Sequence, residues 1–240
     1  MSGSKQPLVY ERLTSEDYDN INESLAGKDA LDVIRWAFQQ YDEDLAYACS
    51  FGAEAMVLVD LISQIRPAAQ IIFLDTGLHF PETYQLIEQV RKRYPKLRIN
   101  MVKPELTLAE QAAAHGEALW ERDPDLCCKI RKVDPLEKAM SGKIAWLSGL
   151  RREQSPTRAH LRYVNPDDKF ANVKICPLIE WKADEIWMYI NLYQLPYNAL
   201  HDQSYPSIGC QPCTRAVQPG EDERAGRWAG RGKTECGLHK

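Results

Sequence analysis

Residues 45–49, Leu45-Ala46-Tyr47-Ala48-Cys49, form an apolar run that breaks at the glycine-containing turn Ser50-Phe51-Gly52-Ala53-Glu54, and residues 55–65 then stay apolar nearly all round. A buried strand, a tight loop and a buried helix in that order are the unit from which parallel sheets are assembled. The pattern recurs. Residues 71–74 read as a strand, residues 81–94 as a helix with Pro81 in its first turn, and residues 97–102 as another strand. Residues 144–147 supply a strand ending in Ser148-Gly149, residues 173–175 a further one, and residues 182–193 a helix. Ahead of these, Leu31, Ile34, Ala37 and Phe38 recur at helical spacing over residues 29–41, and the acidic Asp42-Glu43-Asp44 ends that helix. The expectation is an α/β fold with a mainly parallel, twisted sheet flanked by helices. In such sheets ligands collect at the carboxyl ends of strands, so the loops after Cys49, Leu74 and Leu147 are the place to look.

From Tyr197 onward Gly, Pro and polar residues dominate and periodicity fades, which predicts an irregular cysteine-bearing C-terminal lobe with a mobile tail. The organisation expected is an extension over residues 1–27, a nucleotide-binding α/β domain over 28–196, and residues 197–240 packed on that same domain. The chain has 240 residues, 44% hydrophobic and 27% charged, the profile of a globular protein. No apolar run approaches the roughly 18 residues that span a bilayer, and the opening residues lack the apolar core of a secretory signal. The expected setting is cytoplasmic, with no membrane association. The net charge of −4 advertises no nucleic-acid partner, so an anionic substrate has to be met by local positive charge.

Seven cysteines stand at positions 49, 127, 128, 176, 210, 213 and 236. An odd number in a chain of this kind argues for metal or thiol chemistry over disulfides. Cys127-Cys128 and Cys210-Gln211-Pro212-Cys213 are two pairs far apart in sequence that the fold can bring to one centre. Three readings stay open for them: reduced, partly buried thiols, structural zinc, or an iron–sulfur cluster. Adjacent thiolates are awkward as two corners of a tetrahedral zinc site but can ligate separate irons of a cuboidal cluster, which favours [4Fe-4S]. Cys49 and Cys176, in apolar surroundings, read as packed small residues.

These cysteines, with Ser50-Phe51-Gly52-Ala53-Glu54, Leu74-Asp75-Thr76-Gly77, Gly149-Leu150-Arg151-Arg152-Glu153-Gln154-Ser155 and the terminal Glu235-Cys236-Gly237-Leu238-His239, resemble the thioredoxin-dependent adenylyl-sulfate and phosphoadenylyl-sulfate reductases. The resemblance runs from about residue 28 to the end, and the paired cysteines point within it to the assimilatory adenylyl-sulfate (APS) type. It implies a PP-loop (adenine nucleotide alpha-hydrolase-like) fold, production of sulfite and AMP, and a homo-oligomer in many members. It also implies a [4Fe-4S] cluster on Cys127, Cys128, Cys210 and Cys213. Cys236 becomes the nucleophile, its thiol pKa lowered by Lys233 and His239, and thioredoxin becomes the electron donor. Matched residue by residue, Lys132, Arg158, Arg224 and Arg227 surround the phosphate and sulfate. Ser50, Gly52, backbone at Leu74, and Gly149 meet the adenosine, and His239 stands beside the substrate. The 3′-phosphorylated substrate (PAPS) remains open as a second use.

Two features depart from the family pattern: Ala55 where many relatives carry Asp, and Trp228-Ala229-Gly230-Arg231-Gly232-Lys233 in place of a longer, acidic, Trp-rich stretch. Two rival functions share parts of the signal. An ATP-cleaving PP-loop ligase or tRNA sulfur-transfer enzyme has the same fold, but its loop usually reads Ser-Gly-Gly-x-Asp-Ser. A zinc-stabilised binding module explains four cysteines but leaves Cys236 and the nucleotide-like loops without a role.

Overall fold

The computed structural model describes residues 7–230, 232, 233, 235, 237 and 238. Three strands come early in the chain: β1 (Leu45–Tyr47), β2 (Gln70–Leu74) and β3 (Arg98–Val102). Three more follow: β4 (Ala145–Leu147), β5 (Val164–Asp167) and β6 (Asn172–Ile175). Strands β1, β4 and β6 pair in parallel, β2 pairs in parallel with β3, and a parallel bridge between Ala48 and Ile72 joins the two groups. The sheet therefore runs β3-β2-β1-β4-β6-β5 and is parallel throughout except for β5, which is antiparallel at the edge. Sequence reasoning passes over β5 because Asn165-Pro166-Asp167 has low strand propensity; Pro is tolerated there because the strand is an edge.

Alternation along the strands sends side chains to two cores. Ile71, Phe73, Ala145 and Leu147 face the larger one, together with α2 (Ala30–Tyr41), α3 (Ala53–Ile65), α4 (Pro81–Arg93) and α9 (Ala183–Leu192). Ile72, Ala46 and Trp146 point to the opposite face, where Leu136 and Met140 of α8 (Asp134–Met140) cover them. Helix α3 buries nearly every side chain from Ala53 to Ile62, as its sequence requires, and each fully buried Leu, Ile, Val or Met contributes about 1.5–3 kcal/mol. Local signals set the helix ends. The Asp29 side chain accepts from the Asp32 amide at the start of α2, and Pro81 opens α4 while Arg91, Lys92 and Arg93 close it against the helix dipole.

Part of residues 1–27 is built into the core. Helix α1 (Ser15–Leu25) starts at a capping box between Thr14 and Asp17. Its Asn22 pairs with both backbone groups of Val164, donating to the carbonyl at 2.8 Å and accepting from the amide at 3.0 Å. That covers the free edge of β5, which would otherwise be open to another strand.

Residues 103–143 connect β3 to β4 through short helices: α5 (Leu108–His115), α6 (Leu119–Arg122), α7 (Pro124–Cys128) and α8. Between α7 and α8 the helix continues as a π turn, Lys129–Val133, in which the Asp134 amide bonds to the Lys129 carbonyl. Pro135 has no amide to donate to the preceding turn, which accounts for the wider winding. One continuous rod thus carries Cys127, Cys128, Arg131 and Lys132.

The C-terminal lobe is stitched to the loop after β2 by a bridge between His79 and Cys210 and by the Gln211 amide on the Leu78 carbonyl at 2.7 Å. Within it, Thr214 pairs with Arg227, and the Arg215 amide donates to the Gly226 carbonyl. A Cβ on Gly226 would lie well under 3.0 Å from the Arg215 carbonyl oxygen, a backbone atom with nowhere to go. We expect Gly226→Ala to cost about 1–3 kcal/mol, read in a thermal melt as about 2–4 °C per kcal/mol for a chain of this size. An unchanged melting temperature would mean that the pairing between these segments does not hold the lobe.

Candidate active site

The three loops at the carboxyl ends of β1, β2 and β4 open onto one cavity of about 220 Å³. Ser50, Gly52, Leu74, Lys132, Gly149, Arg158, Arg224 and Arg227 all line it, so the fold brings together every expected substrate contact that lies within the described residues. Cys236 and His239 lie outside them.

One wall is the loop between β1 and α3. Phe51 turns it in the left-handed region at φ 54°, a conformation costing a non-glycine residue about 1–2 kcal/mol. Its ring is held in the core against Phe73, with centroids 5.3 Å apart. Gly52 starts α3 without a side-chain cap, leaving the first-turn amides directed at the cavity. Across from it, a Cβ on Gly149 would touch Glu54 Cβ at 3.4 Å, so the β4 loop approaches α3 as closely as its backbone allows.

Buried polar contacts run from this loop to the cations. Arg151, almost fully buried, donates from Nε to Glu54 Oε1 at 2.9 Å. Gln154 donates to the same carboxylate oxygen at 2.8 Å, while its own carbonyl accepts from the Arg151 amide and from Arg158 Nη1. The amide orientation of Gln154 is thereby fixed from both ends. The sequence assigns neither Arg151 nor Gln154 a role beyond membership of the 149–155 motif; only the packing of β4's loop onto α3 reveals one.

Arg158 reaches the C-terminal tail. Its Nε and Nη2 donate to the two carboxylate oxygens of Glu235 at 3.0 and 2.9 Å, with both side chains at most 7% exposed. Arg224 Nη2 donates to Glu235 Oε2 at 3.1 Å. On the far side, Arg227 lies over the Trp228 ring, 4.4 Å from its centroid, and across Gly209. In its described residues the tail packs on the domain. Lys233 donates to the Pro124 carbonyl and to Asp125 Oδ1 at 2.8 Å, Lys169 donates to the Gly237 carbonyl, and Leu238 packs on the second core. Lys233 thereby ties the tail to α7.

His79, which sequence reasoning did not single out, closes the cavity floor. Its Nε2 donates to the Leu74 carbonyl at 2.9 Å, and its ring stacks on Phe73. Burial, reinforced by the Lys132 charge, lowers its pKa to about 4, which keeps the ring neutral and the Leu74 strand end fixed.

The four cysteines expected to share a centre converge beside the cavity. Cys127, Cys210 and Cys213 are buried, Cys128 is partly so, and Trp120, Leu78 and Trp228 pack around the second pair. Burial, then the neighbouring Cys128, Cys210 and Cys213, pushes the Cys127 thiol up to about 12. Such crowding opposes four bare thiolates and suits ligation by a cationic group. Among the described residues no three or more His, Cys, Asp or Glu side chains gather as a single metal ion requires. Cys49 and Cys176 are wholly buried, and burial lifts each thiol to about 12; both are poor nucleophiles at neutral pH.

Comparison with known proteins agrees with this arrangement. Residues 44–216 match the phosphoadenosine phosphosulfate reductase domain. The chain is 62% identical over 231 residues to the adenosine 5′-phosphosulfate reductase of Shouchella clausii (strain KSM-K16), covering 96% of each chain. It is 59% identical over 229 residues to adenosine 5′-phosphosulfate reductase 2 of Bacillus subtilis (strain 168), covering 93% of this chain and 97% of that one. Among solved structures it resembles phosphoadenylyl-sulfate (PAPS) reductase from Candida auris in its phosphate complex. That likeness has a TM-score of 0.74 and 33% identity, covering 85% of this chain and 98% of that one. FMN adenylyltransferase from Candida glabrata in complex with ATP, 16% identical with a TM-score of 0.55 over 84% of this chain and 66% of that one, shares the fold alone. The α/β fold is of the PP-loop type, and with the domain match spanning the sheet, Lys132 and Arg158 of the cavity and both cysteine pairs, the chain belongs to the phosphoadenosine phosphosulfate reductase family.

Proposed function

We propose that this chain reduces adenylyl sulfate to sulfite and AMP, the reductive step of sulfate assimilation, through an S-sulfocysteine on Cys236. The observation that carries the reading is one cavity in which Lys132, Arg158, Arg224 and Arg227 meet the backbone loop ahead of α3, with the residue next to Cys236 already seated there. The loop suits adenosine, and the cations suit the phosphosulfate.

The Cys236 thiolate attacks the sulfate sulfur. The bond from that sulfur to the bridging phosphate oxygen breaks, and AMP leaves with the electron pair. Cations around the phosphate stabilise the charge that develops on the leaving group. Releasing sulfite then requires a thiolate to attack Cys236 Sγ, so that sulfite departs with the S–S bonding pair, and a second thiol to resolve the mixed disulfide. Among the described cysteines two are inert by burial and four are committed to one centre, which favours an external dithiol protein, thioredoxin, as the source of both electrons. Cys127, Cys128, Cys210 and Cys213 would hold a [4Fe-4S] cluster, which when bound supplies a fixed charge beside Lys132. The cysteines themselves anchor the π-wound rod, and so the Lys132 side chain, to the C-terminal lobe.

APS is favoured over its 3′-phosphorylated form by the two relatives at 62% and 59% identity, both named for the former. The test is steady-state assay of the anaerobically purified chain with thioredoxin. Sulfite and AMP formed in equal amounts from APS, with much less from PAPS, and iron with acid-labile sulfide in the protein, are the expected results. Pyrophosphate released from ATP with no sulfite from APS would instead favour the ATP-cleaving alternative, and zinc without iron would remove the cluster.

A further inference from the structure

In this structure the two arginines best placed for the substrate's anion already hold an anion of the chain's own. Glu235 is 5% exposed. Its carboxylate takes Arg158 side-on, one oxygen on Nε and the other on Nη2, and shares an oxygen with Arg224. Fork-on-carboxylate is the geometry by which guanidinium also grips phosphate and sulfate. Neither arginine is a bystander: both line the cavity, and Arg158 is braced by Gln154 against the loop ahead of α3. Glu235 is also joined by one peptide bond to Cys236.

We propose that Glu235 is a positioning residue that acts as an internal anion. It holds Arg158 and Arg224 in register while the cavity is free of substrate, and the incoming phosphosulfate competes with it for the same two guanidiniums. This rests on the reductase reading above. Two unopposed guanidiniums in a largely buried site repel each other, and the resident carboxylate offsets that cost until the substrate's own charge takes over the role. The consequence is a weaker apparent affinity, because the binding-competent state is only the fraction in which Glu235 has yielded. Competition also couples the two events: substrate can take the arginines only as the residue beside the thiol leaves them.

The experiment measures binding of APS itself by calorimetry to Cys236→Ser, which cannot turn it over, and to the same chain carrying Glu235→Gln. Gln keeps the shape and removes the charge. APS should bind on the order of tenfold more tightly to the Glu235→Gln chain, while adenosine, which lacks the phosphosulfate, binds both equally. Glu235→Asp, with the charge retained, should stay within about twofold of Glu235. A residue that merely supported the fold would give weaker binding of both ligands. Weaker or unchanged APS binding, or an equal gain for adenosine, would overturn the proposal while leaving the reductase reading intact provided the native chain still makes sulfite. If Cys236→Ser binds no APS and the native chain makes no sulfite, the reductase reading itself fails and the proposal with it.

Discussion

Replacing Cys236 with Ser lowers sulfite formation from APS by on the order of 10⁴-fold or more, while AMP binding stays near that of the native chain. The size follows from the role. A hydroxyl at neutral pH is almost wholly protonated, whereas a thiol is partly ionised and intrinsically far more nucleophilic. The loss must fall on kcat, because the nucleophile adds nothing to the grip on adenosine. Quenched assays of sulfite and AMP, with calorimetry of AMP binding, check both halves. A variant that kept even a tenth of the native rate would mean that another group attacks the sulfur. The described cysteines offer no ready substitute, since Cys49 and Cys176 are buried thiols.

Arg158→Ala is expected to have the next largest effect, lowering kcat/KM by about 10²–10³-fold. Three contacts disappear together: the fork on Glu235, the brace from Gln154, and the charge facing the phosphosulfate. Glu235 is left buried against Arg224, and breaking a buried pair from one side costs about 3–5 kcal/mol when the other charge stays uncompensated. Arg158→Lys should recover little, because an ammonium cannot present two parallel donors to a carboxylate or a phosphosulfate. The check is steady-state kinetics beside a thermal melt of each variant. Near-native kcat/KM in Arg158→Ala would show that Lys132, Arg224 and Arg227 suffice for the anion.

How much of this was legible before the fold depends on how local each signal is. Strand β1, its loop and helix α3 can be read directly, because one apolar run, one glycine and a second apolar run force the order. Strand β5 is hidden by Asn165-Pro166-Asp167, which pair in a sheet only because β6 and α1 hold them. The rod from α7 to α8 is hidden for a different reason: it is cut short by Pro124, rewound at Lys129–Val133, and has no long stretch of helical periodicity. For the site, motif resemblance places Lys132, Arg158, Arg224 and Arg227, and the fold gathers them. Resemblance says nothing of which charges oppose one another. The contact between Arg158 and Glu235 joins distant parts of the chain, and the fixed orientation of Gln154 depends on an α3 residue from another loop. Such pairings are properties of packing, and no local spacing announces them. The contact of Lys233 with Asp125 is another pairing of this kind, across 108 residues.

The most direct test of the account is an anaerobic single turnover without thioredoxin, with APS and its 3′-phosphorylated form offered in parallel and any sulfonate located by peptide mass. The account predicts one equivalent of AMP released from APS and one sulfonate on Cys236, with the 3′-phosphorylated form reacting far more slowly. No adduct on Cys236 in protein that binds APS, or an adduct on another cysteine, would contradict it.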